Sequence, residues 1–183
     1  MRPITANIKD KKLFLLDIDG TISFDATPID GTLEFLEEVR ARGGKYIFIT
    51  NNSTKSIEDY VRKFTKMGIL VDKTNFLTSS YATAMYLKER YDNQLLYVLG
   101  TKSFLAELRQ FGLNITDTVT EELKSRIVAA IVGFDNELTY SKIENICELL
   151  QTTQIDYLAT NPDLACPVSY GYVPDCGAIC NML

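Results

Sequence analysis

The chain has 183 residues, 46% of them hydrophobic and 23% charged, the balance of an ordinary globular protein. At this length roughly 70% of the unfolded surface can be buried, in one large or two small domains. A net charge of −5 with no basic tract excludes a general nucleic-acid binder, and the lack of any histidine excludes Ser-His-Asp and Cys-His catalysis, histidine phosphatase chemistry and most zinc sites.

Apolar runs of strand length alternate with amphipathic stretches along the chain. Residues 13–16 form the first run and lead directly into Asp17 and Asp19. Leu33, Leu36 and Val39 then lie at helical spacing, and that helix ends before Gly43-Gly44. A second strand at 46–49, a helix at 56–67 and a short strand at 75–78 follow. Further on, strands are predicted at 95–99, 127–132 and 156–160, with helices near 80–90, 102–111 and 139–152. Unbroken Val/Ile/Leu-rich runs predict parallel strands covered on both faces, and strand-helix alternation predicts an α/β fold with right-handed crossovers. A change of domain is expected near residues 79–82. The cysteines, Cys147, Cys166, Cys176 and Cys180, lack C-x-x-C spacing and read as reduced thiols. With no secretory leader and no apolar run of membrane-spanning length, the reading is cytoplasmic, with no membrane partner.

Chemistry concentrates at two strand ends. In "LFLLDIDGT", residues two apart in an extended chain point the same way, so Asp17 and Asp19 project together while Ile18 turns back. Gly20 permits a sharp exit and Thr21 adds a hydroxyl. The carboxyl ends of parallel strands line the binding crevice of an α/β sheet. Two adjacent carboxylates repel, so one holds its proton more tightly unless a cation intervenes. One can attack phosphorus while the other, protonated, donates to the leaving oxygen. Mg²⁺ prefers oxygen ligands and suits an Asp-rich, His-free site, which makes Asp17 and Asp19 the candidate metal ligands. The second run ends in Thr50, Asn51 and Asn52, a hydroxyl, a backbone N–H and an amide before a helix start, which can hold phosphate oxygens. Helix capping by Asn52 or Ser53 is the competing reading of those polar residues.

These stretches resemble a known family. "DIDGT" at 17–21 is similar to the nucleophile motif of the haloacid dehalogenase-like hydrolases. "TNNSTKS" at 50–56 resembles their second motif in the form of subfamily IIA, the NagD-like and 4-nitrophenylphosphatase-like phosphatases. The resemblance continues through "VGFDNELTYSKI" (132–143), "LATNPD" (158–163) and "YVPDCGAI" (172–179) and so spans nearly the whole chain. It implies a Rossmann-like parallel-sheet core, here residues 1–80, with the inserted α/β cap domain of that subfamily, here residues 81–183. It implies magnesium-dependent hydrolysis of a small phosphorylated metabolite through an aspartyl-phosphate. Asp17 would be the nucleophile and Asp19 the general acid/base, which also holds the metal through its backbone carbonyl. Thr50, Asn51 and Asn52 would contact the phosphate. Asn161, Pro162 and Asp163 would face the substrate from the cap, a simple Asn-Pro turn being the alternative there.

Two departures stand out. Family members continue past the position of Leu183 with a lysine against the phosphate, a Gly-Asp loop carrying a metal carboxylate and the later core strands. The chain is therefore expected to be C-terminally incomplete relative to them, and Lys55 does not occupy the position of that lysine. Cys166 stands where some relatives have a substrate-contacting histidine, and it reads either as pocket lining or as a packed apolar thiol. The opposing functional class is a non-catalytic protein that binds a phosphorylated ligand or partner without turnover. Homo-oligomerisation is left open.

Overall fold

The computed structural model describes residues 7–183. Its strands are β1 (Leu13–Asp17), β2 (Ser23–Phe24), β3 (Thr27–Pro28), β4 (Lys45–Thr50), β5 (Phe76–Thr78), β6 (Leu95–Leu99), β7 (Ile115–Thr116), β8 (Ile127–Val132), β9 (Asp156–Ala159), β10 (Ala165–Val168) and β11 (Gly171–Pro174). Its helices are α1 (Thr32–Ala41), α2 (Ile57–Lys66), α3 (Ser79–Tyr91), α4 (Lys102–Gln110), α5 (Glu121–Lys124), α6 (Tyr140–Thr152) and α7 (Cys176–Met182).

The α/β expectation holds. A first parallel sheet has the order β1-β4-β5, and a second has the order β7-β6-β8-β9, also parallel throughout. Helices α1 and α2 make the crossovers of the first sheet. In the second, α4 and α6 do the same. Two antiparallel hairpins, β2-β3 and β10-β11, stand outside these sheets. Register sets the site: Asp17 pairs with Ile49, and Thr50 pairs with Thr78, so the carboxyl ends of all three strands finish together.

The helix that follows the second motif shows how local sequence fixes position. Ser56 caps α2 by accepting from the Asp59 N–H, and the Asp59 carboxylate accepts from the Ser56 N–H at 3.0 Å, a reciprocal capping box. Glu58 and Asp59 sit in its first turn and Lys63 and Lys66 in its last, matching the helix dipole. Tyr60 and Phe64 turn inward to join Phe48 and Phe76 in an aromatic cluster, with Phe48 and Phe64 centroids 4.6 Å apart.

The two sheets differ in cover. Every residue of β6 is buried, with Leu96 and Val98 on one face and Leu95, Tyr97 and Leu99 on the other. That is the doubly covered parallel strand the apolar runs predict. The first sheet departs from the prediction: Leu13 is 55% and Leu15 60% exposed, because only the face bearing Phe14 and Leu16 packs against the core. The hydrophobic cluster spanning Phe14–Phe76 is separate from those that begin at Ala84. No described helix is long and apolar enough to cross a membrane.

Candidate active site

Strand β1 stops at Asp17, and the chain does not continue extended to Asp19 as the sequence reading expects. The buried Ile18 carbonyl accepts from the N–H groups of Thr21 (3.3 Å), Ile22 (2.9 Å) and Ser23 (3.1 Å), curling the segment into a tight loop. Gly20 sits in this loop at φ 79°, a left-handed conformation that favours glycine. Asp17 and Asp19 line a single cavity of about 150 Å³, joined there by Asn51, Asn52, Asp163, Cys166 and Asp175.

The loop after β4 is held by its own hydroxyls and amides. The Thr50 hydroxyl accepts from the Asn52 N–H at 3.2 Å. Asn52 Oδ1 accepts from the Thr54 N–H (3.0 Å) and hydroxyl (2.7 Å), which leaves its Nδ2 to donate to Asp19 Oδ2 at 3.4 Å. Groups from the second sheet grip the same loop. Ser53 Oγ accepts from the Phe134 N–H, Thr101 Oγ1 donates to the Thr54 carbonyl at 2.9 Å, and Glu107 Oε1 accepts from the Ile57 N–H at 3.0 Å. Asn51 Nδ2 donates to Asp163 Oδ2 across the cavity.

Asp163 is placed by α7. The Gly177 N–H donates to the Asp163 carbonyl at 2.8 Å, and a Cβ at Gly177 would collide with the Pro162 carbonyl. Only glycine allows this helix start to press against the loop. Asp175 caps α7, and its Oδ1 also accepts from Asn161 Nδ2 at 3.1 Å.

Of the residues predicted from sequence, Asp17, Asp19, Asn51, Asn52 and Asp163 come together at the cavity. Thr50 and Asn161 do not line it: both are buried behind it, with the Thr50 hydroxyl turned to Asn52 and the Asn161 amide to Asp175. Cys166 combines its two readings, being 7% exposed within the core cluster and also a wall of the cavity. Sequence reasoning missed Asp175. It lies inside the resembling stretch 172–179, but the pattern Asp-Cys-Gly there also reads as a helix cap, which does not separate a cap from a site residue.

Four carboxylates around one small cavity make it strongly anionic. Partial desolvation, followed by the charge of Asp19, raises the Asp17 carboxyl from its ordinary value although the residue stays exposed, against the opposing Ile18 N–H and Thr21 hydroxyl. Burial likewise raises Asp175, with Asp163 and Asp19 adding repulsion. Among the described residues, no three His, Cys, Asp or Glu side chains converge closely enough to hold a metal by themselves. Magnesium needs only one or two carboxylates, completing its shell with water and substrate phosphate. The Asp17/Asp19 pair, set among oxygen donors, fits that requirement.

A paired-aspartate loop at the carboxyl edge of a parallel α/β sheet, facing a loop from a second sheet across a polar cavity, defines a class of hydrolases. The profile described as haloacid dehalogenase-like hydrolase matches residues 14–114, and the chain belongs to this family. It is 30% identical over 176 residues to an acid sugar phosphatase of Staphylococcus aureus, covering 96% of this chain and 65% of that protein. A 4-nitrophenylphosphatase from Thermotoga maritima superposes with a TM-score of 0.82 at 34% identity, covering 95% of this chain and 64% of that one. NagD from Escherichia coli K-12 superposes with a TM-score of 0.74 at 28% identity, covering 93% and 64%. The chain thus spans about 65% of the length of the curated relatives it matches.

Proposed function

We propose that the protein is a magnesium-dependent phosphatase of small phosphate monoesters that works through an aspartyl-phosphate on Asp17. The observation that carries this reading is the convergence of Asp17 and Asp19 with Asn51, Asn52 and Asp163 on one small cavity. Asp17 Oδ attacks phosphorus and forms a P–O bond while the ester P–O bond breaks. Asp19, protonated, gives its proton to the departing alkoxide. Asp19 then takes a proton from the water that attacks the phosphorus of the aspartyl-phosphate, releasing inorganic phosphate and the Asp17 carboxylate. Asn51 and Asn52 orient the phosphoryl oxygens. Asp17 and Asp19 would hold Mg²⁺, whose charge offsets the repulsion between the acidic walls and a phosphate dianion.

Residues 1–80 would supply this chemistry, and residues 81–183, as a cap, would choose the leaving group. Exchanging 81–183 for the matching part of a relative should change substrate ranking while metal dependence persists. Ranking that follows the first 80 residues would overturn the division.

The test of the chemistry is hydrolysis of 4-nitrophenyl phosphate with and without magnesium. It should be run on the 183-residue chain and on a chimera in which the remaining segment of the Thermotoga maritima enzyme follows Leu183. Asp17→Asn keeps size and removes the nucleophilic anion, so turnover should fall to background. Asp19→Asn should lose about 10²–10⁴-fold, least with leaving groups as acidic as nitrophenol. Near-normal turnover by Asp17→Asn would remove that residue from the role.

A further inference from the structure

A second cavity, about 800 Å³ in volume, opens from the first and shares Asp19, Asn52, Cys166 and Pro167 with it. Its size is that of a site for a whole small molecule. One wall is apolar, formed by the β10-β11 hairpin with Val168 and Val173. The lining also carries Lys55 and, from α2, Arg62, Lys63 and Lys66. Its acids are Asp19, Asp25 and Asp59. Asp59 is already engaged by Arg62, Ser56 and Ser103. Among the described residues, Lys55, Lys63 and Lys66 have no carboxylate within ion-pair distance.

This basic lining is unusual for a chain of net charge −5. Basic residues in the last turn of α2 also serve the helix dipole, which accounts for an exposed Lys66. Lys63 serves the dipole too, but the dipole does not explain where its ammonium is held. That side chain is half-buried, donates to Ser23 Oγ at 3.2 Å beside the Asp17–Asp19 loop, and keeps two ammonium protons unassigned. Burial lowers its pKa with Lys55 adding to the fall, and the charges of Asp19 and Asp25 oppose it.

We infer that the larger cavity binds the leaving-group half of a phosphate monoester carrying a second anionic group, a carboxylate or a further phosphate, read by Lys63 with Lys55 and Lys66. This rests on the proposed phosphatase reading. The scissile phosphate occupies the small acidic cavity, and the second anion meets the lysines across Asp19. A neutral sugar or alcohol leaves those ammonium groups unanswered.

Glycerol 3-phosphate and 3-phosphoglycerate share a skeleton and differ by a hydroxymethyl against a carboxylate. Fructose 6-phosphate and fructose 1,6-bisphosphate make the same comparison for a second phosphate. The anionic member of at least one pair should be preferred in kcat/KM by about tenfold or more, the size of one charge-assisted contact. Lys63→Met should reduce that ratio by about tenfold, and Lys63→Arg should retain most of it. Equal rates within both pairs, or a ratio untouched by Lys63→Met in a folded protein, would overturn the inference. Calorimetric titration of the same four compounds into Asp17→Asn, with and without Lys63→Met, reads binding without turnover. Selective binding there, with no hydrolysis by the parent chain or its chimera, would sink the phosphatase reading and keep the anion site. Hydrolysis without selectivity would do the reverse.

Discussion

Ser53 Oγ accepts the Phe134 N–H at 2.9 Å, tying the loop after β4 to the end of β8 across 81 positions of sequence. Ser53 is fully buried, and its hydroxyl also lies 3.0 Å from Thr160 Oγ1. Ser53→Ala removes the acceptor and leaves a buried N–H without a partner, at about 1–3 kcal/mol. We expect a lower urea midpoint with an unchanged slope. The variant should also raise KM more than it lowers kcat, because the loop that holds Asn51 and Asn52 loses one of its ties to the second sheet. A midpoint within error of the parent would show that another acceptor reaches Phe134.

Asp17 works against stability. Its raised pKa means that the folded state binds the proton more tightly than the unfolded state does, so its contribution to stability falls as pH rises from 3.8 through the raised value. At neutral pH the ionised carboxyl is a burden on the fold, from its partial desolvation and from Asp19. Asp17→Asn should therefore raise Tm at pH 7 while abolishing turnover. That gain should shrink as pH is lowered through the raised value, below which the parent carboxyl becomes neutral too. Thermal scans of both proteins at pH 7, 5.5 and 4.5 check the sign. A gain that grows toward acid would contradict it.

Gly177→Ala tests the placement of Asp163 and Asp175. The added methyl meets backbone atoms of Pro162 and Asp163, which cannot rotate aside as a side chain can. Overpacking of this kind costs about 1–3 kcal/mol. Because the displaced loop carries Asp163, activity should fall further than stability alone explains at a temperature where the variant is fully folded. An active Gly177→Ala protein with the parent KM would show that the loop tolerates the shift.

Much of this architecture was legible because it rests on apolar runs with clear punctuation. Leu95–Leu99 and Ile127–Val132 announce themselves as buried parallel strands, and the helix at 56–67 is there as α2, but its cap is Ser56 with Asp59 and neither Asn52 nor Ser53. Ile115–Thr116, Ser23–Phe24 and Thr27–Pro28 are two residues each, too short for any period to register, and they emerge only from pairing. The exposure of Leu13 and Leu15 was illegible for another reason: an apolar run says that a strand can be covered on both faces, not that it is. At the site, Asp17 and Asp19 were visible from spacing, although a loop and not an extended strand brings them together. Lys63 carried no reading from sequence, and only the fold sets it beside Ser23.

Cys166 stands at the junction of the two cavities, and burial together with Asp19 and Asp175 pushes its thiol up to about 11. At pH 7–8 almost none of it is the nucleophilic thiolate. An alkylating reagent such as iodoacetamide should therefore modify it slowly despite its place between the two cavities. Handling in air should spare the site. A probe that must label this position would need either alkaline conditions or a loss of the acidic neighbours, and Asp19→Asn, by removing one of those charges, should make the same sulfur measurably faster to alkylate.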